Sequence, residues 1–235
     1  VSWRLTTHDS LPSTQNLLTR LAEAGEPAGL AVLAHRQTAG RGQGVRIWDS
    51  RPGNLHLSIL LRPSGPARDL PGWALLFAVA LHEAALTLVA PERLCLKWPN
   101  DLLLDGAKVG GILAEAELTA AGEIAWLAAG FGVNLAHAPA IEGRATAALG
   151  AIAPEVFAER LLDRLDRWQG IHASEGMGRV RDAWLASGPK IGEVLTLRRD
   201  GEALSGHFAG LAEDGALLLS TNGRLQAFHS GEIGG

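Results

Sequence analysis

The sequence predicts an α+β protein whose last quarter is a small all-β barrel. Three observations carry that prediction. Up to about residue 186, strand-length apolar runs are interspersed with helix-length ones. From Pro189 onward only short runs remain, set between Asp-Gly and Asn-Gly turns. Between the two textures lies Ser187–Gly188–Pro189, a cluster of breakers that divides the chain into residues 1–187 and 188–235.

The elements follow in order. Ser13–Thr14 precede Leu17, Leu18 and Leu21, which is helix spacing with a hydroxyl at the cap, and Gly25 closes the helix. Leu30–His35 is a strand-length apolar run. It empties into Gln37–Val45, where glycines alternate at 40, 42 and 44, the composition of a mobile loop. Asn54–Arg62 places Leu55, Leu57, Ile59 and Leu61 at period two, a strand with one buried face. Gly72–Ala90 is alanine- and leucine-rich and long enough for a buried helix. Leu94–Trp98 reads as a strand that Pro99 stops. Asp105–Gly106 joins Leu102–Leu104 to Val109–Glu117 as a two-residue hairpin. Ile124–Leu135 is a further strand, with Gly130 and Gly132 inside it. Amphipathic helices are expected near Pro154–Gln169 and Glu175–Ala186. The barrel strands are Val194–Arg198, Ala203–Leu211, Ala216–Thr221 and Leu225–His229.

Composition removes several function classes. A chain of 235 residues, 47% hydrophobic and 20% charged, is a soluble globular protein that needs no staples. A formal net charge of −4, with no Lys/Arg-rich run, gives no electrostatic footprint for nucleic acid. Cys95 is alone, so neither an intramolecular disulfide nor a cysteine-rich zinc site is available. The histidines are scattered, without the i, i+4 pair that brackets a glutamate in metalloproteases. No targeting segment opens the chain, and its longest apolar run, Trp73–Ala90, is interrupted by His82 and Glu83. No membrane is expected, and the expected compartment is the cytoplasm.

Chemistry concentrates in four places. Only three lysines occur, and two of them, Lys97 and Lys108, share the stretch KWPNDLLLDGAKVGGILAE with Asn100, Asp101, Gly110 and Gly111. Lysine offers a compact point charge suited to a single phosphate or carboxylate oxygen. An ordinary Pro-Asn-Asp turn and a solvated hairpin lysine are the plainer readings of the same residues. The loop GRGQGVRIW, Gly40–Trp48, bares backbone N–H groups that can nest an anion. Its Arg41 and Arg46 match phosphate or carboxylate oxygens in bidentate fashion, and Trp48 offers a face for a base. A Rossmann fingerprint is excluded because Pro52–Gly53 follow where its helix must run, and no P-loop pattern occurs. GFGVNL, Gly130–Leu135, puts two glycines in a strand, where a bulge or a closely apposed ligand would require them. Ser13–Thr14 add hydroxyls that cap a helix or bond a polar head.

Taken together these pieces resemble the bacterial biotin–protein ligases over almost the whole chain. The resemblance rests on Ser13–Thr14, Gln37 with GRG at Gly40–Gly42, Trp48, KWPND at Lys97–Asp101, KVGGIL at Lys108–Leu113, GFGVN at Gly130–Asn134 and HSGEI at His229–Ile233. It implies a mixed-sheet catalytic domain of the biotin/lipoate ligase type and an SH3-like barrel. It also implies MgATP and biotin as substrates, biotinoyl-5′-AMP as intermediate, and a lysine of a biotin carboxyl carrier protein as acceptor. By motif position, Lys108, Arg41 and Asp101 are the catalytic candidates. Biotin would meet Ser13, Thr14, Gln37, Gly40, Arg41, Lys108, Gly111, Gly130 and Gly132. The nucleotide would meet Arg41, Gly42, Arg46, Trp48, Asn100, Lys108 and Asn134. Magnesium would arrive on ATP, with no protein ligand set of its own, and Lys97 has no settled role.

Two departures qualify the resemblance. The family loop reads G-R-G-R-x-G-R-x-W, whereas here Gln43 replaces an arginine and Val45 a glycine. The chain also begins almost at the Ser-Thr helix, so the expected form is the one without a helix-turn-helix repressor domain. Both a monomer and a homodimer stay open. Two alternatives remain beside the ligase: a lipoate or octanoate ligase, which lacks KWPND and K-x-G-G-I-L, and a non-catalytic biotin-binding module with a damaged loop.

Overall fold

The computed structural model describes residues 2–234. Strands are β1 (Arg4–His8), β2 (Leu30–Ala34), β3 (Leu55–Leu61), β4 (Leu94–Lys97), β5 (Asp101–Leu104), β6 (Ala107–Leu118) and β7 (Ile124–Val133) in the first sheet. Its spatial order is β1-β2-β3-β7-β6-β5-β4. β1 and β2 are parallel, joined through helix α1 (Thr14–Glu23), and every other neighbouring pair is antiparallel. The sheet is therefore mixed, as the resemblance implies.

Both faces of this sheet are covered. Helix α1 lies on one face, where Leu18, Ala22, Val32, Leu60, Trp126 and Ala128 form a small cluster. Helices α2 (Leu70–Ala85), α3 (Pro154–Glu175) and α4 (Met177–Ser187) cover the other, where Phe77 of α2 and Phe157 of α3 share a core with Leu55, Leu57, Ile59 and Phe131 of the sheet. β3 is consequently buried at every residue, which corrects the expectation of a single buried face. Helix α2 is apolar all round because it lies between the sheet and α3 and α4. Its Glu83 reaches out to Arg167 of α3 at 2.6 Å. Asp105 and Gly106 have φ of 49° and 80°, so the predicted hairpin is of the primed type that Asp-Gly favours.

The second sheet has β8 (Val194–Arg199), β9 (Glu202–Leu211), β10 (Leu217–Thr221), β11 (Arg224–Phe228) and β12 (Glu232–Gly234). All its neighbours are antiparallel, in the order β11-β10-β9-β8-β12. Its inward residues Leu197, Phe208, Leu219 and Ile233 join the same hydrophobic cluster as the helices, and Trp184 meets Phe208 at 6.5 Å between ring centroids. The Trp98 indole N–H donates to the Gly215 carbonyl at 3.2 Å, tying the two units together. Two strands have no counterpart in the sequence reading. β1 is an edge strand with a polar sequence, and β12 has three residues of which only Ile233 is buried.

Candidate active site

A cavity of about 510 Å³ opens on the α1 side of the first sheet. Every residue proposed from the sequence lines it except Gly40. A Cβ at Gly40 would lie 2.6 Å from the Trp48 carbonyl oxygen and from Ser50 Oγ, so this glycine closes the base of the loop. The cavity floor is bare backbone. Gly130 and Gly132 on β7 lie opposite Ser58 and His56 on β3, and Gly111 on β6 lies opposite Gly132. Each glycine accommodates a neighbour: a Cβ at Gly132 would be 2.3 Å from Trp48 Cε2, and one at Gly130 would be 2.9 Å from Gln15 Oε1.

One end of the cavity is framed by polar side chains of α1, β3 and the Gln37 turn. Ser13 Oγ caps α1 by accepting from the Asn16 N–H at 3.3 Å. Gln37 Oε1 accepts from the Thr14 backbone N–H at 2.8 Å, and Gln37 Nε2 donates to Ser50 Oγ at 2.9 Å. The hydroxyls of Thr14 and Ser58 are 2.9 Å apart. Gln15 Nε2 donates to Glu115 at 3.0 Å, which leaves Gln15 Oε1 buried without a partner. His56 Nδ1 donates to the Ala34 carbonyl at 3.1 Å, so the neutral ring holds its lone pair on a buried, unpartnered Nε2. Burial pushes the His56 pKa below its ordinary value. Gln15 and His56 escaped the sequence reading because one looked like a helix residue and the other like a strand residue.

The other end is ionic. Lys108 Nζ donates to Asp101 Oδ1, with both side chains largely buried. A bulge explains how this lysine reaches the site. Leu102 pairs with Gly110 but Leu103 pairs with Lys108, so Val109 is the extra residue. Three positions apart, Lys108 and Gly111 would ordinarily face opposite ways, yet a Cβ at Gly111 would be 3.2 Å from Lys108 Nζ. The ammonium also stands 5.7 Å from the centre of the Trp48 ring. Arg41 lies at the first end, donating to Glu115, the carboxylate that Gln15 also meets, at 2.6 Å and to Asn16 at 2.8 Å. Burial pushes the Lys97 pKa below its ordinary value, against the pull of Asp101 and Glu232.

The glycine loop is more ordered than its composition suggests. Gly42 N–H donates to the Arg46 carbonyl at 2.8 Å, Trp48 N–H donates to the Gly40 carbonyl at 3.0 Å, and Arg41 bridges Ile47. Gly40–Trp48 is therefore a small hairpin rather than an unstructured loop, because its backbone groups pair with one another. The positive φ of 65° falls on Gly44, so Val45 keeps a conformation open to a β-branched residue.

Asn100 Nδ2 donates to the Ile112 carbonyl at 2.6 Å and so ties the Pro99 turn to β6. Asn134 Nδ2 donates to the Ala147 carbonyl at 3.1 Å, leaving a buried Oδ1 without a partner. The turn that carries Asn134 is fixed by Asn54, whose Oδ1 accepts from the N–H groups of Leu135, Ala136 and His137 at 3.0, 3.1 and 3.0 Å. The sequence reading missed the segment 139–147, which docks on β6 through Lys108 N–H to Ala145 O and Ala147 N–H to Lys108 O. It supplies Arg144. Glu232 was also missed, although it lies inside HSGEI.

A cavity with a polar end whose one cation is matched by Glu115, an aromatic ring midway and an end where Lys97, Lys108, Arg46 and Arg144 gather suits a ligand that is uncharged at one tip and phosphorylated at the other. Known proteins agree. A family model described as the biotin/lipoate A/B protein ligase family matches residues 8–134, and one for the biotin protein ligase C-terminal domain matches residues 190–233. A biotin–[acetyl-CoA-carboxylase] ligase of Paracoccus denitrificans is 37% identical over 86% of this chain and 88% of its own length. One of Mycobacterium tuberculosis is 30% identical over 93% and 83%. The solved biotin protein ligase from Aquifex aeolicus in complex with biotin and ATP has a TM-score of 0.80 at 25% identity, covering 98% of this chain and 97% of that one. The chain belongs to the biotin/lipoate A/B protein ligase family, among its biotin protein ligases.

Proposed function

We propose that the chain is an ATP-dependent biotin–protein ligase acting on a biotin carboxyl carrier protein in the cytoplasm. The observation that carries this reading is the two-ended cavity, in a chain whose relatives are biotin–[acetyl-CoA-carboxylase] ligases. Residues 1–187 would perform the chemistry, and 188–235 would brace its nucleotide side.

In the first step a biotin carboxylate oxygen attacks the α-phosphorus of MgATP, the bond to the β-phosphate oxygen breaks, and magnesium pyrophosphate leaves. In the second, the carrier lysine amine attacks the acyl carbon, AMP leaves, and the amine loses a proton. The first step joins two anions, so it needs fixed positive charge where negative charge accumulates. Lys108 serves there by exchanging Asp101 for the carboxylate and α-phosphate oxygens. Arg41 neutralises phosphate in the same way, by exchange from Glu115, and Arg46 does so with the N–H groups that Glu232 leaves free. Asp101, once released, is placed to orient the incoming lysine.

The polar end receives the ureido ring. Ser13, Thr14 and Gln37 frame it, and the unpartnered Gln15 Oε1 supplies an acceptor for a ureido N–H. A buried acceptor left unpaired costs about 1–3 kcal/mol, which a matching ligand donor recovers. Asn134 Oδ1 offers a corresponding acceptor for the adenine amino group, with Trp48 as the stacking face and Asn100 bracing the turn beside it.

Pyrophosphate release and carrier biotinylation test this function, with lipoate as the control acid. Release with biotin alone and transfer to the carrier are expected. Release with lipoate, or with neither acid, overturns the reading.

A further inference from the structure

Glu232 is a carboxylate that the second sheet sends to the mouth of a cavity otherwise lined by the first unit. β12 pairs with β8, and the buried Ile233 fixes the strand. Glu232 Oε2 accepts from Arg46 Nη2 at 2.6 Å, and Oε1 accepts from Arg46 Nη1 at 3.3 Å. The same Oε1 accepts from Arg144 Nη2. Lys97 acts on this carboxylate electrostatically. Cations from the glycine hairpin, the 139–147 segment and β4 thus converge on one side chain of the other unit.

The arrangement solves a physical problem. Like charges held close in a partly dry site repel unless an opposite charge stands between them. The hairpin tip is otherwise directed at solvent, with Val45 101% and Ile47 86% exposed, so the Arg46 pairing fastens it to the body. Each guanidinium has five N–H donors, and Glu232 engages two groups of Arg46 and one of Arg144. The remaining N–H donors are available to a second anion.

We propose that Glu232 is a positioning residue for the nucleotide, holding Arg46 and Arg144 side by side so that their remaining N–H groups meet the polyphosphate of MgATP. The proposal rests on the ligase reading and refines its nucleotide side. In biotin-dependent pyrophosphate release by the full chain, Glu232→Gln raises the KM for MgATP by about fivefold, the effect of a partly exposed charge-assisted pair. The KM for biotin and the urea midpoint stay unchanged. In an Arg46→Gln/Arg144→Gln background the same substitution has no further effect on the KM for MgATP, because the residues it acts through are gone. An unchanged KM for MgATP, an equal rise for both substrates, or an undiminished effect in that background overturns the proposal. If Glu232→Gln does not fold, Glu232→Asp carries the same comparison, since its shorter carboxylate cannot hold both arginines. A wild-type chain that releases no pyrophosphate with biotin would overturn the ligase reading and this proposal together. An active wild type with an indifferent position 232 would overturn this proposal alone.

Discussion

Lys108 and Asp101 form an ion pair across β6 and β5 whose side chains are 16% and 9% exposed, and a one-residue bulge sets the lysine on the cavity side. Lys108→Ala is expected to lower pyrophosphate release and biotin transfer at least about a hundredfold, the cost of removing a fixed positive group at a developing charge. It also strands the Asp101 carboxylate, so urea unfolding should show a loss on the order of 3 kcal/mol. The double change Lys108→Met with Asp101→Leu should recover most of that stability but none of the activity. Undiminished transfer by Lys108→Ala would remove the catalytic role.

The two strand glycines separate the ends of the cavity. Gly132→Ala drives a methyl into the Trp48 ring, from 2.3 Å, and should raise the KM for MgATP about tenfold by moderate overpacking. Gly130→Ala presses on Gln15 Oε1 and should act chiefly on the KM for biotin. Steady-state kinetics with each substrate varied in turn decides the matter, and identical profiles for the two variants would contradict the division.

Gln43 lines the cavity from an exposed position where the family pattern has arginine. Gln43→Arg should slow the escape of biotinoyl-AMP into solution by adding a cation beside the anhydride. The check is adenylate release from a preformed complex; equal rates for wild type and variant would show that the amide costs nothing.

His56 and His82 are both buried, and burial is the leading reason that each has a pKa below the ordinary 6.5. They stay neutral in the folded protein while the unfolded chain takes up protons. Stability therefore falls as the pH drops through 6.5 towards the folded pKa, at up to about 1.4 kcal/mol per pH unit for each histidine. Replacing either by Asn should flatten stability against pH in that window, as measured by urea titration. A slope unaffected by both substitutions would mean the histidines are not its source.

Much of the fold was legible because its strands and turns carry local signatures. Asp105–Gly106 announced its hairpin, and the run Leu55–Leu61 its strand, although the full burial of that strand depends on α1, which lies far off in sequence. The residues within motifs gather around one cavity, while several that complete its wall carry no local signal. Gln15 and His56 have ordinary local roles, and only the fold turns their unpaired atoms into a cavity. Arg144 sits in a segment without periodicity, and the contact between Arg46 and Glu232 spans 186 positions that no local pattern connects. The hairpin order of Gly40–Trp48 was hidden because glycine spacing reports conformational freedom, not how the backbone spends it.

The placement of Trp48 against the naked backbone of Gly132 gives the protein an optical probe of its own. The chain contains no tyrosine and seven tryptophans, so its ultraviolet emission arises from indoles alone. Five of these, at 73, 98, 126, 168 and 184, are buried, and Trp3 is packed against the core. Trp48 and Trp98 both line the cavity, and of the two only Trp48 stands on the hairpin, beneath an ammonium group and beside the space a nucleotide would fill. Its spectrum would register occupancy and hairpin movement in the unlabelled protein, without a dye, a tag or a coupled enzyme.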